Sequence, residues 1–284
     1  MPVTKEIVVT EFLTVDSGTI AYEVTGDGPL VVLAHGIGDS RAAYRFVTPQ
    51  LVAAGYRVAA VDLRGTGESS AQWPAYSRTA IAGDLIAVIR HLGGPAVLVG
   101  HSISGGAATI AAALAPELLT GVVELAPFTR AQAMKLSDLK SGAYRTGALR
   151  LGGAMLGSAG QWLKYLDHAY PGVKPADWTT RQAQIAAMLR EPGRMKALQG
   201  MLKSSPADAG AQLGHVRCPV LIVQGSLDPD WVDPRAEGEG ILAELPAGLG
   251  RLEIVEGAGH YPHAQYPDET ATLLLAFLRA NARA

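Results

Sequence analysis

The run Ala96-Val97-Leu98-Val99-Gly100-His101-Ser102-Ile103-Ser104-Gly105 constrains this chain more than any other segment. An apolar, β-type stretch stops at a glycine, turns through a serine and passes by Gly105 and Gly106 into the alanine-rich stretch Ala107 to Ala115. A strand that feeds a helix with almost no loop must bend sharply, and Ser102 sits at the apex. Gly100 and Ser104 carry little or no side chain, so neighbouring turns have room to approach. Such a bend lifts Oγ clear of a sheet and leaves the next backbone N–H free for an oxyanion. Taken alone, the segment equally fits a polar turn in an ordinary βα unit, so its meaning depends on the rest of the chain.

The rest of the chain alternates strands and helices. Apolar or alternating runs predict strands over Ile7–Val15, Thr19–Val24, Leu30–Ala34, Arg57–Val61, Ala96–Val99, Gly121–Leu125, Val220–Gln224 and Arg251–Val255. Between them the patterns predict helices over Arg41–Ala54, Thr79–Leu92, Ile103–Leu114, Pro234–Leu245 and Asp268–Ala282. This rhythm belongs to an α/β fold with a mostly parallel, doubly wound sheet of eight strands and helices on both faces. Right-handed crossovers then bring the C-terminal ends of the parallel strands to one edge, where ligands bind. The rhythm breaks over 128–215, where helices are expected at Gly160–Tyr170, Thr179–Arg190 and Arg194–Leu202 and no strand is. The organisation read from this is a core of 1–127 and 216–284 with a helical cap, 128–215, inserted over the ligand edge. The glycines from Gly147 to Gly160 are read as a stretch that lets the cap move.

Composition narrows the function classes. With 24 basic and 26 acidic residues among 284, and no basic run interleaved with aromatics, nothing points to a nucleic-acid partner. The single cysteine, Cys218, excludes an internal disulfide or cysteine metal cluster and reads as a buried, inert thiol. The histidines lack metal-ligand spacing, so neither metal nor cofactor is expected. No apolar stretch reaches the ~18 residues of a membrane span, and Met1 to Val9 lacks a signal-peptide pattern, so a cytoplasmic protein is expected.

Three loops follow predicted strands and therefore share the edge with Ser102. Leu33-Ala34-His35-Gly36-Ile37-Gly38-Asp39 has glycines that permit tight backbone turns. Gln224-Gly225-Ser226-Leu227-Asp228-Pro229-Asp230 presents carboxylates, though Asp-Pro is also a common turn starter. Val255-Glu256-Gly257-Ala258-Gly259-His260-Tyr261-Pro262 presents a histidine flanked by glycine. With Ser102, Asp228 and His260 in that order, the His35-Gly36 turn and the loop Asp62-Leu63-Arg64-Gly65-Thr66-Gly67-Glu68-Ser69, the chain resembles the α/β-hydrolase superfamily. One departure is that the usual G-x-S-x-G ends here in Ser104, with glycine one residue later.

The resemblance implies Ser102 as nucleophile, His260 as general base and Asp228 as the acid that orients it. The backbone N–H groups of Ile37 and Ile103 are implied as the oxyanion hole. Asp230, Asp233 and Glu124 are rival acids, and Asp228 is preferred because its G-x-x-D loop matches the family. His263 is read as a residue of the rim or of the layer behind the site, His35 and His101 as positioning residues, and Asp62 and Arg64 as loop braces. The methionines after the initiator, Met134, Met155, Met188, Met195 and Met201, all fall in the expected cap. Trp162, Trp178, Tyr144, Tyr165 and Tyr170 join them, giving adaptable apolar surface that also serves plain packing. The expected partner is a small to medium hydrophobic carboxylic ester or lactone, with no charged handle demanded. Carbon–carbon bond hydrolases and cofactor-free perhydrolases (haloperoxidases) use the same triad and stand as alternatives, as does a slow-turnover ligand receptor. Epoxide hydrolases and haloalkane dehalogenases of similar architecture place aspartate where this chain has Ser102.

Overall fold

A computed structural model describes residues 9–131 and 135–282 of the chain. Its strands are β1 (Glu11–Val15), β2 (Gly18–Thr25), β3 (Leu30–Ala34), β4 (Arg57–Val61), β5 (Ala96–His101), β6 (Leu119–Leu125), β7 (Val220–Gly225) and β8 (Gly250–Val255). They form one eight-stranded sheet in the order β1-β2-β4-β3-β5-β6-β7-β8. At one end β2 pairs antiparallel with both β1 and β4, and the remaining pairs are parallel. Every residue of β3, β5 and β7 is buried, as expected for strands covered on both faces. The first strand begins at Glu11, after the expected start, and Ile7 and Val8 lie outside the described residues.

Helices of the α/β repeat cover the two faces. α1 (Thr48–Ala53), α2 (Arg78–His91) and α3 (Ile103–Leu114) precede β6. On one face Ile81, Leu85, Ala107, Ala111 and Ile241 join β-strand side chains in a continuous core. On the other, Tyr44, Leu51, Leu274 and Leu278 pack on Val31, Val97, Val123 and Val223. The alanines of α3 remove bulk, so this helix lies close to both the sheet and α2. The helix expected over Arg41–Ala54 is instead a 3₁₀ turn, Arg41–Tyr44, followed by the short α1. Pro49 explains the break: inside a longer helix its ring would clash with the preceding turn, whereas in the first turn of α1 it is tolerated.

Between β6 and β7 the chain forms α4 (Gly142–Met155), α5 (Ala159–Ala169), α6 (Trp178–Arg190), α7 (Arg194–Leu202) and the single turn α8 (Ala207–Gly210). These helices share their own small core, in which Trp162, Tyr165, Leu166, Ile185, Leu189 and Leu198 meet Tyr261 and Ala264. Of the glycine-rich stretch, Gly147, Gly152 and Gly153 lie inside α4, with Gly157 in the turn that follows. Helices α9 (Pro234–Glu244), α10 (Pro262–Gln265) and α11 (Pro267–Asn281) complete the fold. No helix among the described residues is long and apolar enough to cross a membrane.

Candidate active site

The parallel register sets Ala34 beside Gly100, His101 beside Leu125 and Gly225 beside Val255. The loops after β3, β5, β7 and β8 therefore open side by side along one sheet edge. Ser102 occupies the turn between β5 and α3 with φ +55° and ψ −117°, a conformation that non-glycine residues rarely adopt. Holding it costs on the order of 1–3 kcal/mol, supplied by the packing around it. Glycine is required at position 100, since a Cβ there would stand 2.1 Å from the Ser104 carbonyl oxygen. Ser104 is fully buried and its hydroxyl donates to the His35 carbonyl at 2.6 Å, tying the elbow to the neighbouring loop. The departure from a final glycine thus adds a hydrogen bond that glycine cannot make.

The His35–Asp39 loop runs directly against that elbow. A Cβ at Gly36 would lie 2.6 Å from His101 Nδ1 and 3.1 Å from Ser102 Cβ. The amides of Ile37 and Ile103 have no acceptor among the described residues. His35 shapes the loop from behind: Nδ1–H donates to the Gly36 carbonyl at 2.7 Å and Nε2 accepts the Leu63 N–H at 3.1 Å. Burial lowers its pKa, which keeps the ring neutral for that double role. Asp62 and Arg64 brace the adjoining loop, the first through the amides of Arg41 and Glu68, the second through Asp84 at 2.7 and 2.8 Å.

His260 Nδ1 lies 2.8 Å from Asp228 Oδ2 and 3.4 Å from Asp230 Oδ2. Its main chain is fixed on both sides. The N–H donates to the Ala169 carbonyl at 3.0 Å, and its carbonyl accepts His101 Nε2–H at 2.8 Å. Asp228 Oδ1 accepts the Asp230 amide at 3.0 Å, which curls the loop so that both carboxylates face one ring. Burial pulls the imidazole toward neutrality, but the two carboxylates outweigh it and raise its pKa above the ordinary histidine value. Burial pushes the Asp230 carboxyl upward, and the Tyr165 hydroxyl donates to it at 2.5 Å.

Several candidates from the sequence take other places. Of the two places open to His263, it takes the one behind the site, fully buried, stacked on Tyr44 at 4.9 Å and packed edge-on against His101 at 4.6 Å. Burial drives its pKa to about 3. Asp233 caps α9 by accepting the Ala236 N–H at 3.0 Å, and Glu124 takes the hydroxyls of Thr109 and Thr129 within β6. Cys218 is buried, with its thiol pushed up to about 11 by desolvation. Asp228, Asp230 and His260 are also the one group of described residues whose potential metal-ligand atoms lie within 4.8 Å of one another.

Ser102, His260, Asp230 and Ile37 open onto a cavity of about 590 Å³. Trp162, Tyr165, Tyr144, Leu151 and Met155 of α4 and α5 form one wall, and Met201 and Leu202 of α7 another. Trp178 and Tyr170 instead pack on each other, tilted, at 4.4 Å, Met188 reaches the Gly67 amide, and Met134 lies outside the described residues. The sequence analysis missed two contributors, Tyr165 as the partner of Asp230 and Arg78 on the α2 side of the cavity. A signal existed for the second, because a cation in the first turn of a helix opposes the helix dipole.

A family model described as "Alpha/beta hydrolase family" matches residues 31–273. The chain belongs to the α/β-hydrolase family. Among curated α/β-hydrolase relatives, 2-(acetamidomethylene)succinate hydrolase of Mesorhizobium japonicum is 27% identical over 277 residues, covering 94% of each protein. Epoxide hydrolase B of Mycobacterium tuberculosis is 41% identical over 105 residues, 36% of this chain and 30% of that protein. Among solved structures, a thermophilic esterase from Thermogutta terrifontis superposes with a TM-score of 0.74 at 24% identity, over 96% of this chain and 98% of that one. The epoxide hydrolase CorEH reaches 0.78 at 18% identity over 96% and 99%. These superpositions establish the α/β-hydrolase fold, and the relatives together mark the chain as a hydrolase.

Proposed function

We propose that this hydrolase cleaves carboxylic esters or lactones through an acyl-enzyme on Ser102, with residues 128–215 acting as the cap over the site. The observation that carries the reading is the His260–Asp228 hydrogen bond of 2.8 Å beside a strained Ser102 that faces the same cavity. A serine hydroxyl needs a base to take its proton during attack. His260 Nε2, which has no hydrogen-bond partner among the described residues, takes that role while Asp228 holds the proton on Nδ1. The carbonyl oxygen gains negative charge as the Ser102 Oγ–C bond forms, and the Ile37 and Ile103 amides answer it. Each such donor is worth ~3 kcal/mol in the transition state. Collapse releases the alcohol, which takes the proton from His260; water then repeats the sequence and frees the acid.

The relatives include epoxide hydrolases, yet a neutral hydroxyl at position 102 suits acyl transfer better than direct opening of an epoxide by an anionic carboxylate. Hydrolysis of p-nitrophenyl acyl esters of graded chain length tests the proposal. Multiple turnover is expected, with Ser102→Ala lowering kcat by ~10⁴ or more and Cys218→Ser remaining active. Undiminished turnover by folded Ser102→Ala refutes the assignment.

A further inference from the structure

The cavity is apolar where it meets α4 and α5, but its α2 side carries a cation with no counter-ion. Arg78 is only 3% exposed and opens α2 behind its Ser77 cap. Its Nε–H donates to the Phe128 carbonyl at 2.8 Å, and Nη1 reaches the carbonyl and hydroxyl of Ser204 at 3.3 and 3.1 Å. Among the described residues Nη2 has no acceptor, and no carboxylate oxygen lies within 4.0 Å of the guanidinium. Asp208 is engaged with the amide and hydroxyl of Thr79 at 3.2 and 2.8 Å. Burial pulls the guanidinium down to about 10, against the opposing charge of Asp208. Lys135 also lines the cavity but is exposed, whereas the other charged groups there are engaged. Arg130 lies 2.8 Å from Glu244 and 3.8 Å from Glu237, Asp233 caps its helix, and Asp138 accepts the Lys135 amide at 2.7 Å. Burial pushes the Glu237 carboxyl up to about 7, which weakens its repulsion of an incoming anion.

Arg78 is also close to Ser102. Phe128 bridges them, its N–H bonded to the Ser102 carbonyl at 3.1 Å and its own carbonyl to Arg78. The arginine stem passes Gly106, where a Cβ would lie 2.8 Å from Cδ. Gly106 follows Ser102 by four positions on α3, a rise of ~6 Å. The leaving oxygen must face His260, which returns the proton, and Arg78 lines the same cavity.

We propose that Arg78 is a carboxylate-binding subsite, and that the preferred substrate is an ester whose acyl chain ends in a carboxylate. This refines the hydrophobic ester expected from sequence and rests on the ester-hydrolase reading. The test compares ethyl hydrogen adipate with ethyl hexanoate at low ionic strength, following acid release by titration. Wild-type protein is expected to show a kcat/KM at least ~10-fold higher for the half-ester. Arg78→Gln is expected to lower that ratio at least ~10-fold, with Arg78→Lys intermediate. A purely structural arginine would depress both esters together and leave the ratio standing. Absence of charge preference in wild type, or a ratio unmoved by Arg78→Gln, overturns the subsite. If neither ester is cleaved, the ester-hydrolase reading fails instead, and the subsite is decided by calorimetry of adipate on Ser102→Ala protein. There, adding Arg78→Gln is expected to weaken binding at least ~10-fold, and absent or unchanged binding overturns the proposal.

Discussion

The imidazole of His260 faces two carboxylates, and they do different work. Asp228 makes the shorter contact, 2.8 Å, and fixes which nitrogen holds the proton; Asp230, at 3.4 Å, contributes charge. Both stabilise the imidazolium, so the base becomes neutral only above the ordinary histidine range. In the proposed mechanism kcat/KM therefore climbs with pH along an acidic limb whose midpoint exceeds ~6.5. Asp230→Asn removes one stabilising charge, so the limb is expected to move to lower pH by about one unit while the maximal rate changes little. Asp228→Asn is expected to cost ~10⁴ in kcat because the tautomer is lost. A pH–rate profile of each variant with a p-nitrophenyl ester separates them, and a limb that Asp230→Asn leaves in place refutes the charge role. The family resemblance singles out Asp228; that Asp230 reaches the same ring shows only in the turn geometry of the loop they share. Tyr165 was beyond reach for another reason: its partner Asp230 is 65 positions away, joined only when α5 docks.

At the scale of elements, legibility followed the strength of the local pattern. β3, β5 and α3 were readable because apolar runs bounded by glycine or serine leave few alternatives. α4 was not, since five glycines between 142 and 157 read as breakers. Packing overrides that preference: Gly153 lies against Gln161, and the missing side chain lets α4 and α5 approach closely. β6 carries the opposite conflict, a carboxyl in a fully buried strand. Burial lifts Glu124 to about 7 even though Thr109 and Thr129 donate to it. A carboxyl whose pKa is higher folded than unfolded binds more protons in the native state. Its effect on stability is therefore a loss as pH rises from about 4.5 to about 7, complete above that. Glu124→Gln keeps the shape without the charge and is expected to stabilise the protein at pH 8 by on the order of 2–3 kcal/mol, with little effect at pH 5. Denaturant unfolding at the two pH values checks this; equal effects at both would refute it.

For the molecule as a whole, the question is how helices inserted between β6 and β7 come to rest on the sheet edge. Backbone contacts secure one end, where the His260 N–H meets Ala169 and Gln265 donates to the carbonyls of Pro171 and Val173. Arg45 and Asp177 add a bidentate pair at 2.6 Å in both arms. The central tie is buried: Arg181 of α6 pairs with Asp39 and reaches the Ser40 hydroxyl at 2.8 Å. The partners are 142 positions apart, and no periodicity or spacing in a sequence encodes such a pairing. Burying both charges is costly, and only their mutual contact offsets it. Asp39→Asn leaves Arg181 charged and buried without its counter-ion, and is expected to destabilise the protein by ~3–5 kcal/mol. Replacing both partners, Asp39→Leu with Arg181→Met, removes the desolvation cost together with the attraction, so most of that stability is expected to return. Asp39 also lies two residues from Ile37, so Asp39→Asn is expected to lower kcat beyond what unfolding explains, as the loop loses its anchor. Urea unfolding of the single and paired variants, with turnover measured where each is fully folded, decides the point. A paired variant no more stable than Asp39→Asn would show that the two charges stabilise the docked helices by more than removing the cost of their burial can restore.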